Sequence, residues 1–270
     1  MAIRGLMLPA RLEALLLEIS TNPAIDEGDL ETTHGVILKT MADGLGTARV
    51  GIWMFDEKRD AIRCLALVDK AHRVETEDTS LDRATYPRYF AALDTERAIV
   101  AHDARIDTAT SEFAPGYLTP LGITSMLDVP VRQHGQMVGI ICSEHVGPAR
   151  QWRTEEAAFA AAVADLLGRA MTAALFRGDV KSLADATRAH ARRLVAEGAA
   201  LRTDLADLEK VVDGLRRSGD PAAGGTADEL SGIARRLRSR ADDLERSALE
   251  LESRSGAVQI PAPRDVAALG

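Results

Sequence analysis

Few side chains in this 270-residue chain are of types that do chemistry, and their spacing decides how much they can do. Cys142-Ser143-Glu144-His145 sets a thiol, a hydroxyl, a carboxylate and an imidazole in a row, donor types suited to a metal or redox centre. On a strand the run splits, with Cys142 and Glu144 on one face and Ser143 and His145 on the other. A thiolate and a carboxylate two apart, with no second histidine nearby, are not a zinc set, so no metal is expected. His102-Asp103 is the other imidazole–carboxylate pair. Neighbouring strand residues point to opposite faces, so the two do not chelate. One of them is expected to hydrogen-bond a polar ligand; the alternative has Asp103 opening the next loop through an Asx turn. Cys64 and Cys142 lie far apart without CxxC spacing, which fits buried free thiols in a reducing cytoplasm. The sequence holds no GxxxxGK[ST], GxSxG or HExxH motif. No catalytic residue emerges, and no enzymatic activity is expected.

The elements that position these residues follow from periodicity. Ile123, Ser125, Leu127, Val129 and Val131 alternate with Thr124, Met126 and Asp128, which predicts a strand. Pro130 marks an edge position or the strand's end. Gln133-His134-Gly135-Gln136 supplies a turn, with Gly135 free to take positive φ. Residues 137–142 form a continuous apolar run, predicting a strand covered on both faces. Thr154, followed by Glu155 and Glu156, opens a helix. Phe159, Val163, Leu166, Leu167 and Ala170 give that helix an apolar stripe that must pack on the sheet or a partner helix.

Composition divides the chain. All ten aromatic residues, both cysteines and all seven methionines lie at or before Phe176, so a segment with its own globular core is not expected beyond it, and the boundary is placed near Gly178. Residues 181–256 carry 14 acids and 14 bases, so the formal net charge of −8 resides in residues 1–180. An acidic first part and a neutral second part argue against nucleic acid as a partner. Arg11, Glu13 and Glu18 interrupt the leucine-rich start, arguing against a spanning helix or signal peptide there and for a cytoplasmic location.

The stretch from Tyr117 to His145, YLTPLGITSMLDVP followed by GQMVGIICSEH, resembles the C-terminal half of a GAF domain. RVGIWMFD (49–56) and AIRCLALV (61–68) are similar to the first hairpin of that family, YPRYFAAL (86–93) to its short helix, and AIVAHD (98–103) to the strand that follows. The resemblance covers residues 10–177. It implies an α+β fold, a central antiparallel sheet with helices on both sides, and a small-molecule-sensing or regulatory role whose ligand the fold does not specify. It also implies a pocket lined by Tyr86, Phe90, His102, Asp103, Phe113, Tyr117, Met126 and His145, unless these side chains merely cap the core. Phytochrome-type members attach a bilin through a cysteine just ahead of the tyrosine matched by Tyr117; here that stretch is SEFAPG (111–116), without cysteine. The Asn-Lys-x-x-x-x-Asp/Glu signature of cyclic-nucleotide members is also missing. The free methionine sulfoxide reductases of this fold use paired cysteines, and Cys64 and Cys142 on separate strands lack a clear resolving arrangement. The cofactor stays unassigned.

Leu194, Leu201, Leu208 and Leu215 recur every seven residues, as do Leu230, Leu237, Leu244 and Leu251 beyond a Gly/Pro-rich break at 218–226. Heptads of this kind predict a coiled-coil hairpin over residues 178–256, with a flexible tail at 257–270. Two such hairpins pairing as a four-helix bundle would make a homodimer. The hairpin also resembles the phosphoacceptor hairpin of sensor histidine kinases, but His190 is flanked by Ala191, Arg192 and Arg193 rather than by an acid and a proline-ended turn, and no nucleotide-binding domain follows. The expectation is therefore a cytoplasmic GAF signalling protein that binds a small molecule and relays its state through a dimeric coiled coil to a kinase, cyclase or other regulator, with no nucleic acid and no membrane as partner. The alternatives are a ligandless docking module and a degenerate phosphotransfer hairpin.

Overall fold

Alternating side chains, turn residues with positive φ and one long apolar helix stripe combine into a sheet with different coverings on its two faces. The computed structural model describes residues 8–70 and 79–256. The chain forms two compact units, Met1–Phe176 and Arg177–Gly270.

In the first unit, α1 (Ala10–Ser20), α2 (Pro23–Glu27) and α3 (Leu30–Leu45) precede the hairpin of β1 (Arg49–Phe55) and β2 (Ala61–Asp69). Then come β3 (Ser80–Asp82), α4 (Pro87–Thr95), β4 (Ile99–Ala101), β5 (Ile123–Gln133) and β6 (Gln136–Val146). A 3-10 turn at Ser111–Phe113 runs into a π-helical turn at Ala114–Leu118. The six strands form one antiparallel sheet in the order β3-β2-β1-β6-β5-β4. The β5–β6 turn has φ of 50° at His134 and 78° at Gly135, two left-handed residues in succession, matching the right-handed twist of the strands. Pro130 lies beyond the short reach of β4, which pairs only with Met126, Leu127 and Asp128. There β5 is already the sheet edge, so the missing N–H breaks no ladder.

One sheet face is closed by helices. Phe159, Val163 and Leu167 of α5 (Thr154–Arg217) join Ile37 and Met41 of α3 in a cluster with Ile52, Leu127, Val129 and Ile141. Each such large side chain contributes about 1.5–3 kcal/mol by leaving water. The first part of α5 is long and apolar enough to cross a membrane by composition alone. Here its stripe is buried on the sheet. Gly168 lies directly under the Arg132 carbonyl, leaving no room for a Cβ.

The compositional boundary near Gly178 is not a helix boundary: α5 continues through it to Arg217. The second unit also corrects one expectation. The break expected over 218–226 shrinks to residues 218–220, because α6 (Pro221–Gly256) starts at the proline itself. Proline has no N–H to lose in a first turn, and the Asp220 carboxylate accepts from the Ala222 N–H at 2.9 Å. Within the hairpin the small residues Ala191 and Gly198, then Leu205 and Val212, are buried every seven positions on α5. Ala227, Ala234, Ala241 and Ala248 do the same on α6. The leucine rows beside them are half-buried. Arg202 pairs with Asp242 and Glu245, Arg216 with Asp228, and Arg238 with Glu209 across the hairpin. The expected tail at 257–270 lies outside the described residues.

The two α5 glycines predict opposite outcomes on substitution. Gly168→Ala should destabilise the protein by about 1–3 kcal/mol through overlap with the Arg132 carbonyl. Gly178→Ala, with open space around it, should stabilise by about 0.5–1 kcal/mol. Urea denaturation of both variants checks the pair.

Candidate ligand-binding site

The other sheet face is covered by α4 and the turns between β4 and β5, and it is not filled. A cavity of about 240 Å³ lies there. Trp53 of β1, Ile140 and Cys142 of β6 and Met126 of β5 form its floor, since each sits on the strand face opposite the helices. Tyr86, Tyr89, Phe113 and Tyr117 form its walls. Phe113 holds this aromatic shell together, 4.5 Å from the Tyr86 ring and 4.8 Å edge-on from Tyr89.

A buried polar network forms one end. Glu144 of β6 lines the cavity and is only 3 % exposed. Its Oε2 accepts from Arg49 Nε at 2.7 Å and its Oε1 accepts from the Tyr117 hydroxyl at 2.8 Å. Arg49 Nη2 donates to the Tyr117 oxygen at 3.2 Å, and Nη1 pairs with Asp69. Burial works against the Arg49 cation, but Glu144 and Tyr117 outweigh it and raise its pKa. Burial, reinforced by Glu144, raises that of Tyr117, keeping the phenol protonated.

Behind the floor lies a second carboxyl. Asp128 of β5 accepts from the Tyr89 hydroxyl at 2.6 Å through Oδ2, while Oδ1 makes no hydrogen bond among the described residues. Burial pushes its pKa up to about 7, against the opposing pull of the Cys142 thiol and the Tyr89 hydroxyl. Burial, with Asp128 and Glu144 adding, raises the Cys142 thiol well above its ordinary range, so it is not a thiolate nucleophile. No group of three or more His, Cys, Asp or Glu side chains among the described residues is placed to hold a metal ion.

Of the residues expected at the site, Tyr86, Phe113, Tyr117 and Met126 come together around the cavity. The other four are elsewhere. Phe90 is fully buried in the core, edge-on to Phe55 and Tyr89. His102 uses Nδ1 to accept the Trp152 N–H at 3.0 Å, and its carbonyl accepts from the Ser125 hydroxyl. Asp103 makes the Asx turn, accepting from the Arg105 N–H at 3.2 Å. His145 follows Glu144 on β6 and so points to the opposite face; burial and Arg150 lower its pKa. Arg49, Trp53, Asp69, Tyr89, Asp128, Cys142 and Glu144 were not among the expected site residues. The signal was a charge inside an otherwise apolar strand, as at Arg49, Asp128 and Glu144, which has to be paired or neutralised.

The sequence matches the family profile of the GAF domain over residues 29–171. The chain belongs to the GAF domain family. No curated protein matches it in sequence. Solved structures share the GAF fold at low identity. The phytochrome photosensory core module of Stigmatella aurantiaca is 12 % identical with a TM-score of 0.55, over 69 % of this chain and 42 % of that one. A protein in a far-red absorbing dark state with bound biliverdin IXa is 16 % identical with a TM-score of 0.50, over 60 % of this chain and 98 % of that one. The GAF domain of an Acinetobacter phosphoenolpyruvate-protein phosphotransferase is 16 % identical with a TM-score of 0.44, over 60 % and 90 %.

The buried acid beneath the GAF cavity gives a signed pH dependence. The folded-state pKa of Asp128 is raised, so folding holds a proton that the unfolded chain releases near pH 4, and this contribution to stability falls as pH rises from about 4 to about 7. Asp128→Asn should remove that slope. The stability difference between wild type and variant should change by up to about 4 kcal/mol across the window. Urea melts at several pH values measure it.

Proposed function

We propose that this protein is a cytoplasmic, non-enzymatic GAF signalling protein, in which a small molecule in the cavity biases the packing of α5 and the helical hairpin passes the change to a downstream kinase, cyclase or regulator. One observation carries the reading. Met126 on β5 and Cys142 and Glu144 on β6 face the cavity, while Leu127 and Val129 on β5 and Ile141 on β6 hold α5 on the opposite side. A ligand gripping these strands from one face bears on the helix seated on the other. Such coupling requires unequal affinity for the two packings. The cavity, as bounded by the described residues, is below the roughly 300–1,000 Å³ of drug-sized sites, which favours a compact ligand over a tetrapyrrole.

Homodimerisation is part of the proposal, by a route different from the leucine ladder. The heptad rows of α5 and α6 face each other within one hairpin, leaving them little to offer a second copy. Leu175, Phe176 and Leu183 on α5 are instead 57 %, 70 % and 70 % exposed. Paired α5 helices would cover them. The second reading, a ligandless docking module, predicts the same dimer with an empty cavity.

Native mass spectrometry of the full chain at low activation energy separates the two. The expected result is a dimer carrying a discrete small-molecule mass that Met126→Trp, which fills the cavity, removes. A dimer without bound mass supports docking. Phe176→Glu should convert the dimer to monomer while leaving the circular dichroism melt of the first unit within about 0.5 kcal/mol.

A further inference from the structure

We infer that residues 147–153, which join β6 to α5, form a pH-operated clasp: they hold the start of α5 on the sheet while His102 and His145 are neutral, and let go when these imidazoles take up protons. The inference needs no ligand in the cavity. It adds acidity as an input at the helix the proposed relay uses.

Geometry comes first. The cavity uses neither histidine, yet both meet this one segment. His102, half-buried one residue beyond β4, accepts the Trp152 backbone N–H through Nδ1 at 3.0 Å. The Trp152 indole N–H donates to the Ala101 carbonyl at 3.2 Å, and the ring is buried in the cluster that seats α5. His145 Nε2 lies 3.9 Å from where a Cβ on Gly147 would sit. Arg150 ties the segment down further. Its N–H donates to Ser125 Oγ at 2.9 Å, Nη1 donates to the Leu45 carbonyl at 2.7 Å, and Nη2 pairs with Glu156. Its guanidinium lies 4.3 Å from the Trp152 ring centroid. Ser125 stands opposite His145 in the β5–β6 register and donates to the His102 carbonyl at 2.7 Å.

Protons act on this geometry directly. A proton on Nδ1 turns His102 from acceptor to donor, so the ring then faces the Trp152 N–H with no lone pair to offer. The charged groups around this corner are Arg150 and Arg153 of the segment, Glu156 of α5, and Asp103 and Arg105 of the loop after β4. Glu156 is bonded by Arg150 and by the Arg153 N–H, and Asp103 by the Arg105 N–H. β5 brings the hydroxyls of Thr124 and Ser125, and α3 the Leu45 carbonyl. None of these relieves two donors meeting at Nδ1. At His145, burial and then the Arg150 charge lower the pKa, against the pull of the Pro148 carbonyl. The folded state therefore favours the neutral ring. That contribution is present above the ordinary imidazole value of about 6.5 and is lost as pH falls through the lower folded value.

Hydrogen exchange of the full chain, read by NMR at the Trp152 backbone amide and expressed as protection relative to the unfolded chain, tests this between about pH 8 and pH 5. Protection at Trp152 should fall at least about tenfold as the pH drops, while protection at Ile141 in the sheet should not fall. Asp128 acts on the whole fold with the opposite sign, so a local loss at Trp152 stands apart from it. The double variant His102→Asn/His145→Gln offers an amide oxygen in place of Nδ1 and has neither imidazole to protonate. It should keep the protection seen at pH 8 and show a flat profile. A flat profile in the wild type overturns the clasp, as does a parallel fall at Ile141 or an undiminished fall in the double variant. Should that variant not fold, the ring nitrogen shifts of the wild type decide, and a fall that follows the titration of neither histidine overturns the inference.

Discussion

The side chain of Arg49 is the interaction on which the first unit depends. It stands directly opposite Asp69 on β2 and directly opposite Glu144 on β6, so one guanidinium ties three adjacent strands in a single row. Both carboxylates and the arginine are buried. Slipping either strand by one residue would turn a charged side chain onto the other face and leave its partner buried alone, at a cost of about 3–5 kcal/mol. Apolar strand faces can tolerate approximate register; this row cannot. Tyr117 completes the arrangement by bonding both Arg49 and Glu144, and so fixes the π-helical turn that carries it over the sheet.

From that row the two sheet faces diverge. One is packed to the limit, with Gly168 and Gly44 present because the Arg132 carbonyl and the Phe159 ring occupy the space a Cβ would need. The other keeps a void lined by rings and acids. A packed face transmits displacement, because close-packed side chains yield little, whereas an unfilled face admits a ligand. The fold thus separates the cavity from the packed helices by the thickness of a single sheet.

Much of this organisation was readable from residue order. The β5–β6 hairpin, its turn at His134-Gly135 and the apolar stripe of α5 followed from period and turn chemistry alone, because each is a local property. Tyr86, Phe113 and Tyr117 of the cavity wall came from family resemblance, not from spacing, and Tyr89 was missed. What escaped was long-range. Arg49 and Glu144 are 95 positions apart and meet only because β1 and β6 are neighbours in the sheet. His102 and His145 looked like chemistry by type, yet strand parity and a bond to Trp152 take them elsewhere. Gly178 and Pro221 looked like breaks, but a helix absorbs an exposed glycine at modest cost and begins readily at proline.

The alanine seam of the hairpin has its own consequence. Each heptad of α6 buries an alanine and half-covers a leucine, so burial is spread over successive layers and no single layer acts as a keystone. Stability there accumulates along the axis, one layer after another, as in a repeat array, whereas the sheet unit stands or falls around its ion row. Shortening the hairpin by one heptad subtracts a layer; deleting any strand around Arg49 removes the fold.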